Sequence, residues 1–164
     1  MEPADVELLY TWENDTSIWK VSNTLTPFSR FQLEEYVMNS RQDIFAARQL
    51  RLIIELRQPT PTAIGSIDLF DFDPVHLRAG IGILVHADYR QHGYARETMD
   101  ILIVYAFSVL RLHQLYCHIA PGNEPSRRLF ESLGFIHCGT KKDWINEDGV
   151  WQDEWTFQLI NPNV

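Results

Sequence analysis

Seven consecutive residues carry the chain's clearest chemical signal: Arg90-Gln91-His92-Gly93-Tyr94-Ala95-Arg96. They lie between a run of apolar and β-branched residues and a helical pattern. A glycine loop that opens a helix suits phosphate, because unpaired N–H groups converge there and the helix N-terminus adds about half a positive charge. Arg90 and Arg96 flank Gly93 and offer full charges. The stretch has neither the Lys-Ser/Thr ending of a Walker A loop nor a GxGxxG repeat, and it also describes a helix simply entered through a glycine turn. The six histidines are scattered without an HExxH spacing, so no protein-bound metal is expected. Trp144 and Trp151 flank an Asn146-Glu147-Asp148-Gly149 turn; they are placed to wall a cation or to pack in a core or dimer.

The elements that must carry these residues follow from periodicity. Apolar and alternating runs predict strands at 50–56, 63–72 and 79–85, with Ile67, Leu69 and Phe72 inward, joined as an antiparallel meander. Ala95, Met99, Leu102, Ile103, Ala106, Phe107 and Leu110 recur at helical spacing. A strand at 114–120, a helix from near Asn123, a strand from Phe135 and a last hairpin follow. Earlier in the chain, Pro3 opens a short helix, and Ser29-Arg30-Phe31-Gln32 has capping-box form. Helices between the later strands imply an α+β domain with a mixed sheet.

Composition bounds the rest. With 164 residues, 45% hydrophobic and 12% aromatic, the chain suits one domain, here read as spanning 1–164. Fourteen Lys+Arg against 22 Asp+Glu leave a formal charge of -8, which disfavours a nucleic-acid partner. The longest apolar stretch, 101–110, is interrupted by Ser108 and too short for a bilayer, so no membrane partner is expected. Cys117 and Cys138 form no CxxC pair, and the acidic N-terminus has no leader-like apolar region; both fit a cytoplasmic protein.

The segment GIGILVHADYRQHGYARETMDILIVYAF (residues 80–107), together with Asn123-Glu124-Pro125-Ser126, Leu129-Phe130 and Leu133-Gly134-Phe135, resembles the Gcn5-related N-acetyltransferase superfamily. Within it the chain is similar to the spermidine/diamine branch. The resemblance implies a largely antiparallel sheet splayed at the cofactor site and flanked by helices, with acetyl-CoA as co-substrate and an amine as acceptor. Ile83, Leu84 and Val85 correspond to the strand that hydrogen-bonds the pantetheine arm, the Val85 region polarising the thioester carbonyl. Arg90, Gln91, His92, Gly93, Tyr94, Ala95 and Arg96 correspond to the pyrophosphate cradle, and Asn123 and Ser126 to the opposite wall. A polyamine is the first acceptor expected, a protein N-terminus or peptide the second. A CoA-binding protein without catalysis is the reading of a different class. In this superfamily the terminal hairpin often serves an acceptor pocket or a subunit interface, so a homo-oligomer is one arrangement implied.

The pattern also departs from the family. Phe130 stands where a tyrosine is expected to protonate the leaving thiolate, and Gly80 where a carboxylate is common. Thr24-Leu25-Thr26-Pro27 replaces an amine-binding acidic pair, and the chain begins where the family's first strand should just have ended. A primary amine of pKa about 10.4 is neutral in roughly one molecule per thousand near pH 7.4, a cost of about 4 kcal/mol unless a base assists. The thiolate of CoA, with a pKa near about 8.5, leaves more easily. A missing base therefore matters more than a missing acid. Asp68 and Asp71 are the substitutes; three apart on a regular strand they point to opposite faces, and Asp68, opposite in sense to Ile67 and Leu69, is the expected base. Tyr94, Tyr116 and Cys117 are further proton donors to consider.

Overall fold

The computed structural model describes residues 1–19, 24–39 and 43–162 and divides into two compact units, Met1–Ala47 and Arg48–Val164. In the first, a short 3-10 turn, Pro3–Asp5, leads into α1 (Val6–Glu13), followed by α2 (Arg30–Asn39) and a single turn, α3 (Ile44–Ala47). The expected capping box at α2 forms: Gln32 N–H donates to Ser29 Oγ at 3.2 Å, and Ser29 N–H donates to Gln32 Oε1 at 2.8 Å. Leu9, Leu33 and Val37 are the buried side chains of these helices, and Asn14 ties the loop to α1 by hydrogen bonds with Tyr10 and Phe28.

The second unit holds a six-stranded sheet in the order β1-β2-β3-β4-β6-β5. Its strands are β1 (Leu50–Leu56), β2 (Thr62–Asp73), β3 (Arg78–Val85), β4 (Gln114–Ile119), β5 (Ile136–Glu147) and β6 (Val150–Ile160). All neighbours pair antiparallel except β3 and β4, because α4 (Tyr94–Ser108) carries the chain across between them. The helix α5 (Glu124–Ser132) joins β4 to β5. The last hairpin closes through Asp148 at φ 52 and Gly149 at φ 87, the pair of positive angles that a two-residue turn of matching twist needs.

One face of the sheet is apolar. Leu69, Ala79, Ile81, Leu115, Cys117 and Phe157 are buried, as are Met99, Leu102 and Ala106 of α4, which lie at the helical spacing read from sequence. Leu69 is fully buried; Leu69→Ala is expected to cost about 2–5 kcal/mol by leaving a cavity, read as a lower urea midpoint at unchanged slope.

Candidate active site

Two strands that start together and then part define the site. Parallel pairing of β3 with β4 covers Arg78↔Gln114, Ala79↔Leu115 and Gly80↔Tyr116, then stops. Ile81 to Val85 continue on β3 with only β2 beside them, and Cys117 to Ile119 continue on β4 with only β6. Main-chain polar groups alternate sides along a strand. Leu77 accepts from His113 N–H on the β4 side, and His86 N–H donates to Ile64 on the β2 side. Odd-numbered residues of β3 therefore turn their N–H and C=O groups toward the opening. Arg90 Nε donates to the Val85 carbonyl at 2.9 Å, which leaves Ile83 N–H and C=O and Val85 N–H facing the gap. Leu84 turns its main chain to β2, so of the three expected strand residues it offers no main-chain group to the opening.

Directly after β3 the short turn Ala87–Tyr89 leads into the loop. Gln91 at φ 64 and Gly93 at φ 86 both adopt left-handed backbone, and Gly93 is the N-cap of α4. Gly93 accepts from Glu97 N–H at 3.1 Å; the amides of Tyr94, Ala95 and Arg96 belong to the first turn, where helical N–H groups lack intrahelical acceptors. A Cβ added to Gly93 would meet nothing within 4 Å, so the glycine serves the backbone angle and an open approach. His92 stacks on Tyr94 with ring centroids 5.7 Å apart. Arg96 is committed elsewhere: Nη1 donates to Ser132 O and Oγ at 3.1 and 2.9 Å, tying α4 to α5. Main-chain amides, with Arg90 beside them, are thus what the loop offers an anion. Asn123 caps α5, its Oδ1 accepting from Ser126 N–H at 3.3 Å.

The other face of the sheet is polar. Its rungs bring Asp68 and Phe70 of β2, Gly80 and Gly82 of β3, Tyr116 and His118 of β4, and Thr156 and Gln158 of β6 to one side. Beyond the closed end of the opening is a cavity of about 680 Å³ whose lining includes Arg48, Arg78, Asp71, Asp73, Tyr116 and Gln158. The expectation that Asp68 and Asp71 face opposite ways fails here. Pairing shifts register between Phe70 and Asp73, Asp71 sits at φ 49, and Leu69 and Phe72 are both buried. Two residues therefore turn outward in succession, as a β-bulge requires, and Asp71 Oδ2 comes within 3.5 Å of Tyr116 Oη. Asp68 does face this side, but its Oδ1 lies 2.6 Å from Arg51 Nε in an ion pair.

The two departures from the family pattern have a physical setting. A Cβ on Gly80 would lie 2.2 Å from the Phe70 ring, so that ring occupies the space a side chain at this position would take. Phe130 is 3% exposed and meets Phe135 edge-on at 5.0 Å. Among the other proton donors considered, burial pushes the Cys117 thiol up to about 12, which keeps it an inert core residue. Tyr116 is also raised, first by burial and then by Asp71, and so holds its proton. A side chain that sequence reasoning missed is His118, whose spacing fits no motif; its position on β4 past the last β3–β4 rung, with Thr156 opposite on β6, puts it beside the opening. The aromatic wall imagined for a cation is instead met by the chain's own lysine, Lys141 Nζ lying 4.7 Å from the Trp144 ring centre.

No group of three or more metal-ligating side chains occurs among the described residues, and no helix among them is long and apolar enough to cross a membrane. Residues 1–136 match the acetyltransferase (GNAT) domain family. The chain is 26% identical over 153 residues to spermidine N(1)-acetyltransferase of Vibrio cholerae serotype O1, covering 93% of this chain and 86% of that one. It is 27% identical over 160 residues to the uncharacterized N-acetyltransferase p20 of Bacillus licheniformis, covering 98% and 89%. A crystal structure of spermidine N-acetyltransferase from Vibrio cholerae in complex with CoA and spermine superposes with a TM-score of 0.87 at 24% identity, covering 98% of this chain and 92% of that one; this likeness establishes the fold. A β-sheet that opens beside a glycine-capped helix, in a sequence matched along most of its length, makes this chain a member of the GNAT family and an N-acetyltransferase that uses acetyl-CoA.

Proposed function

We propose that residues 1–164 act as one cytoplasmic acetyltransferase domain that moves the acetyl group of acetyl-CoA onto a small primary amine, a polyamine being the preferred class. The observation that carries this is the end of the β3–β4 ladder at Gly80↔Tyr116, immediately upstream of the Gly93 loop. In this reading the pantetheine arm lies along the opening as a surrogate strand, bonding Ile83 and Val85. The pyrophosphate rests on the amides of residues 91–96, with Gln91, His92, Tyr94 and Arg90 around it, and Asn123 and Ser126 border the arm from α5. Leu84 contributes side-chain contact. The single domain is supported by a family match that runs through both compact units, and the polyamine by the acceptor named for the Vibrio cholerae relative. Cytoplasmic residence is supported by two free thiols, Cys117 and Cys138.

A peptide N-terminus is the second acceptor reading. The cavity at the closed end carries Arg48 and Arg78 alongside Asp71 and Asp73, a balance that suits an acceptor bearing both signs of charge better than a pure polycation. Calorimetry with acetyl-CoA, then release of CoA thiol over polyamines, amino acids, short peptides and aminoglycosides, tests both. Spermidine is expected to be turned over well above the no-acceptor rate. Faster turnover of a peptide than of any polyamine would move the acceptor assignment. Binding without release for every acceptor would leave a CoA-binding protein, and absence of binding would end the reading altogether.

A further inference from the structure

His118 is a titratable side chain that the topology brings, with Asp68 and Tyr116, to the polar side of the opening. It lies two residues beyond Tyr116, past the last β3–β4 rung, and on the same face, its ring 5.5 Å from the Tyr116 ring. Continued in register, the position across the opening is Gly82, where an added Cβ would meet only a Phe70 atom, at 3.8 Å. The Phe70 ring fills the space over Gly80, so the bare backbone of the floor is at Gly82, between Asp68 on one side and His118 on the other. A small amine has room there to meet a thioester held along β3.

The imidazole is oriented from β6. Nδ1 lies 3.2 Å from Thr156 Oγ1 and 3.7 Å from Glu154 Oε2; the Glu154 residue is 9% exposed and receives a hydrogen bond from Lys141 Nζ at 2.7 Å. A carboxylate and a hydroxyl at Nδ1 favour the tautomer with the proton there, which leaves the lone pair on Nε2. We propose that His118, oriented by Thr156 and Glu154, is the general base that takes the proton from the acceptor amine.

The assignment rests on the acetyl-transfer reading above. The acceptor ammonium loses one proton to Nε2 of His118, which passes it to solvent, and the freed nitrogen lone pair attacks the thioester carbonyl carbon. As the C–N bond forms and the C–S bond breaks, the sulfur leaves with the bonding pair, and the second nitrogen proton ends on it as CoA thiol. Burial holds His118 below its ordinary value, with Lys141 on β5 acting the same way and Glu154 on β6 and Asp71 on β2 opposing; the phenol of Tyr116 also faces it. The imidazole is therefore in its proton-accepting form at neutral pH. Asp68, across the groove, is held in an ion pair, its Oδ1 lying 2.6 Å from Arg51 Nε.

The test compares wild type, His118→Ala, Glu154→Gln and Asp68→Asn in CoA release with spermidine from pH 5.5 to 9, with acetyl-CoA affinity measured in parallel. His118→Ala is expected to lower kcat about 10²- to 10⁴-fold at unchanged acetyl-CoA affinity, to erase the acid limb of the profile and to recover activity with added imidazole. Glu154→Gln removes the carboxylate that raises the His118 pKa, so its acid limb moves to lower pH. Asp68→Asn is expected to keep the acid limb of the profile whatever its effect on rate; loss of that limb would assign the base to Asp68 instead. An active wild type whose His118→Ala variant keeps its rate, or loses it with the acid limb intact and no imidazole rescue, overturns the assignment to His118 alone. A wild type that binds acetyl-CoA but acetylates no amine overturns the acetyl-transfer reading, and this assignment with it.

Discussion

Gly80→Asp is expected to destabilise the protein and to bring no gain in rate, although it restores the carboxylate expected from the family at that strand position. The added Cβ would lie 2.2, 2.4 and 2.6 Å from three atoms of the Phe70 ring. That ring is also packed edge-on against Tyr116, with centroids 6.0 Å apart, which resists its swinging aside. Overpacking of this kind costs about 1–3 kcal/mol, and a carboxylate at a buried position without a partner adds further cost. Urea unfolding of Gly80→Asp, Phe70→Ala and the double variant measures the coupling. The double variant is expected to be more stable than the sum of the two single losses allows, because removing the ring vacates the space the carboxylate needs. An unchanged midpoint for Gly80→Asp would contradict the close packing of Phe70 over β3. The chain has thus exchanged a carboxylate on β3 for an aromatic ring on β2, and any proton acceptor must come from elsewhere on that face.

Arg90→Ala is expected to weaken acetyl-CoA binding about 10- to 150-fold, the range that the loss of a hydrogen bond to a charged group allows. Its guanidinium has two tasks. Nε holds the carbonyl of Val85 at 2.9 Å, fixing the end of the strand relative to the loop that follows, and its charge remains beside the amides proposed to hold the pyrophosphate. The two tasks separate with a truncated ligand. Acetyl-pantetheine lacks the pyrophosphate, so Arg90→Ala should weaken it less than acetyl-CoA. The loss with acetyl-CoA should shrink at high salt, where wild-type binding also weakens by screening. Equal losses for both ligands would assign Arg90 a purely structural role. In a chain of net charge -8, one local cation matters because the long-range field opposes an anionic ligand.

Much of the frame was readable from residue order because its causes are local. The apolar run of β1, the helical spacing of Met99, Leu102 and Ala106, the Asp148-Gly149 turn and the Ser29/Gln32 capping box each depend on interactions within a few residues. The glycine loop was legible for the same reason: Gly93 tolerates its φ of 86 without help from distant parts of the chain. Phe72 was read as inward and is buried, yet the same reading put Asp68 and Asp71 on opposite faces. Both inferences cannot follow from strict alternation. The bulge between Phe70 and Asp73 resolves them, and nothing in the local composition announces an inserted residue.

Sequence by itself determined where the Gly93 loop stands, which helix it opens and which strand leads into it, since hydrophobic period and glycine placement act over one or two turns. It also determined that the family's carboxylate and tyrosine positions are Gly80 and Phe130. What only the tertiary structure decided is which side chains meet. Arg51 claims Asp68, Phe70 fills the space over Gly80, Ser132 claims Arg96, and Thr156 and Glu154 orient His118. Each of these joins residues at least ten positions apart through sheet register or helix packing. Register is set by the summed burial of whole strands, a quantity no short motif contains.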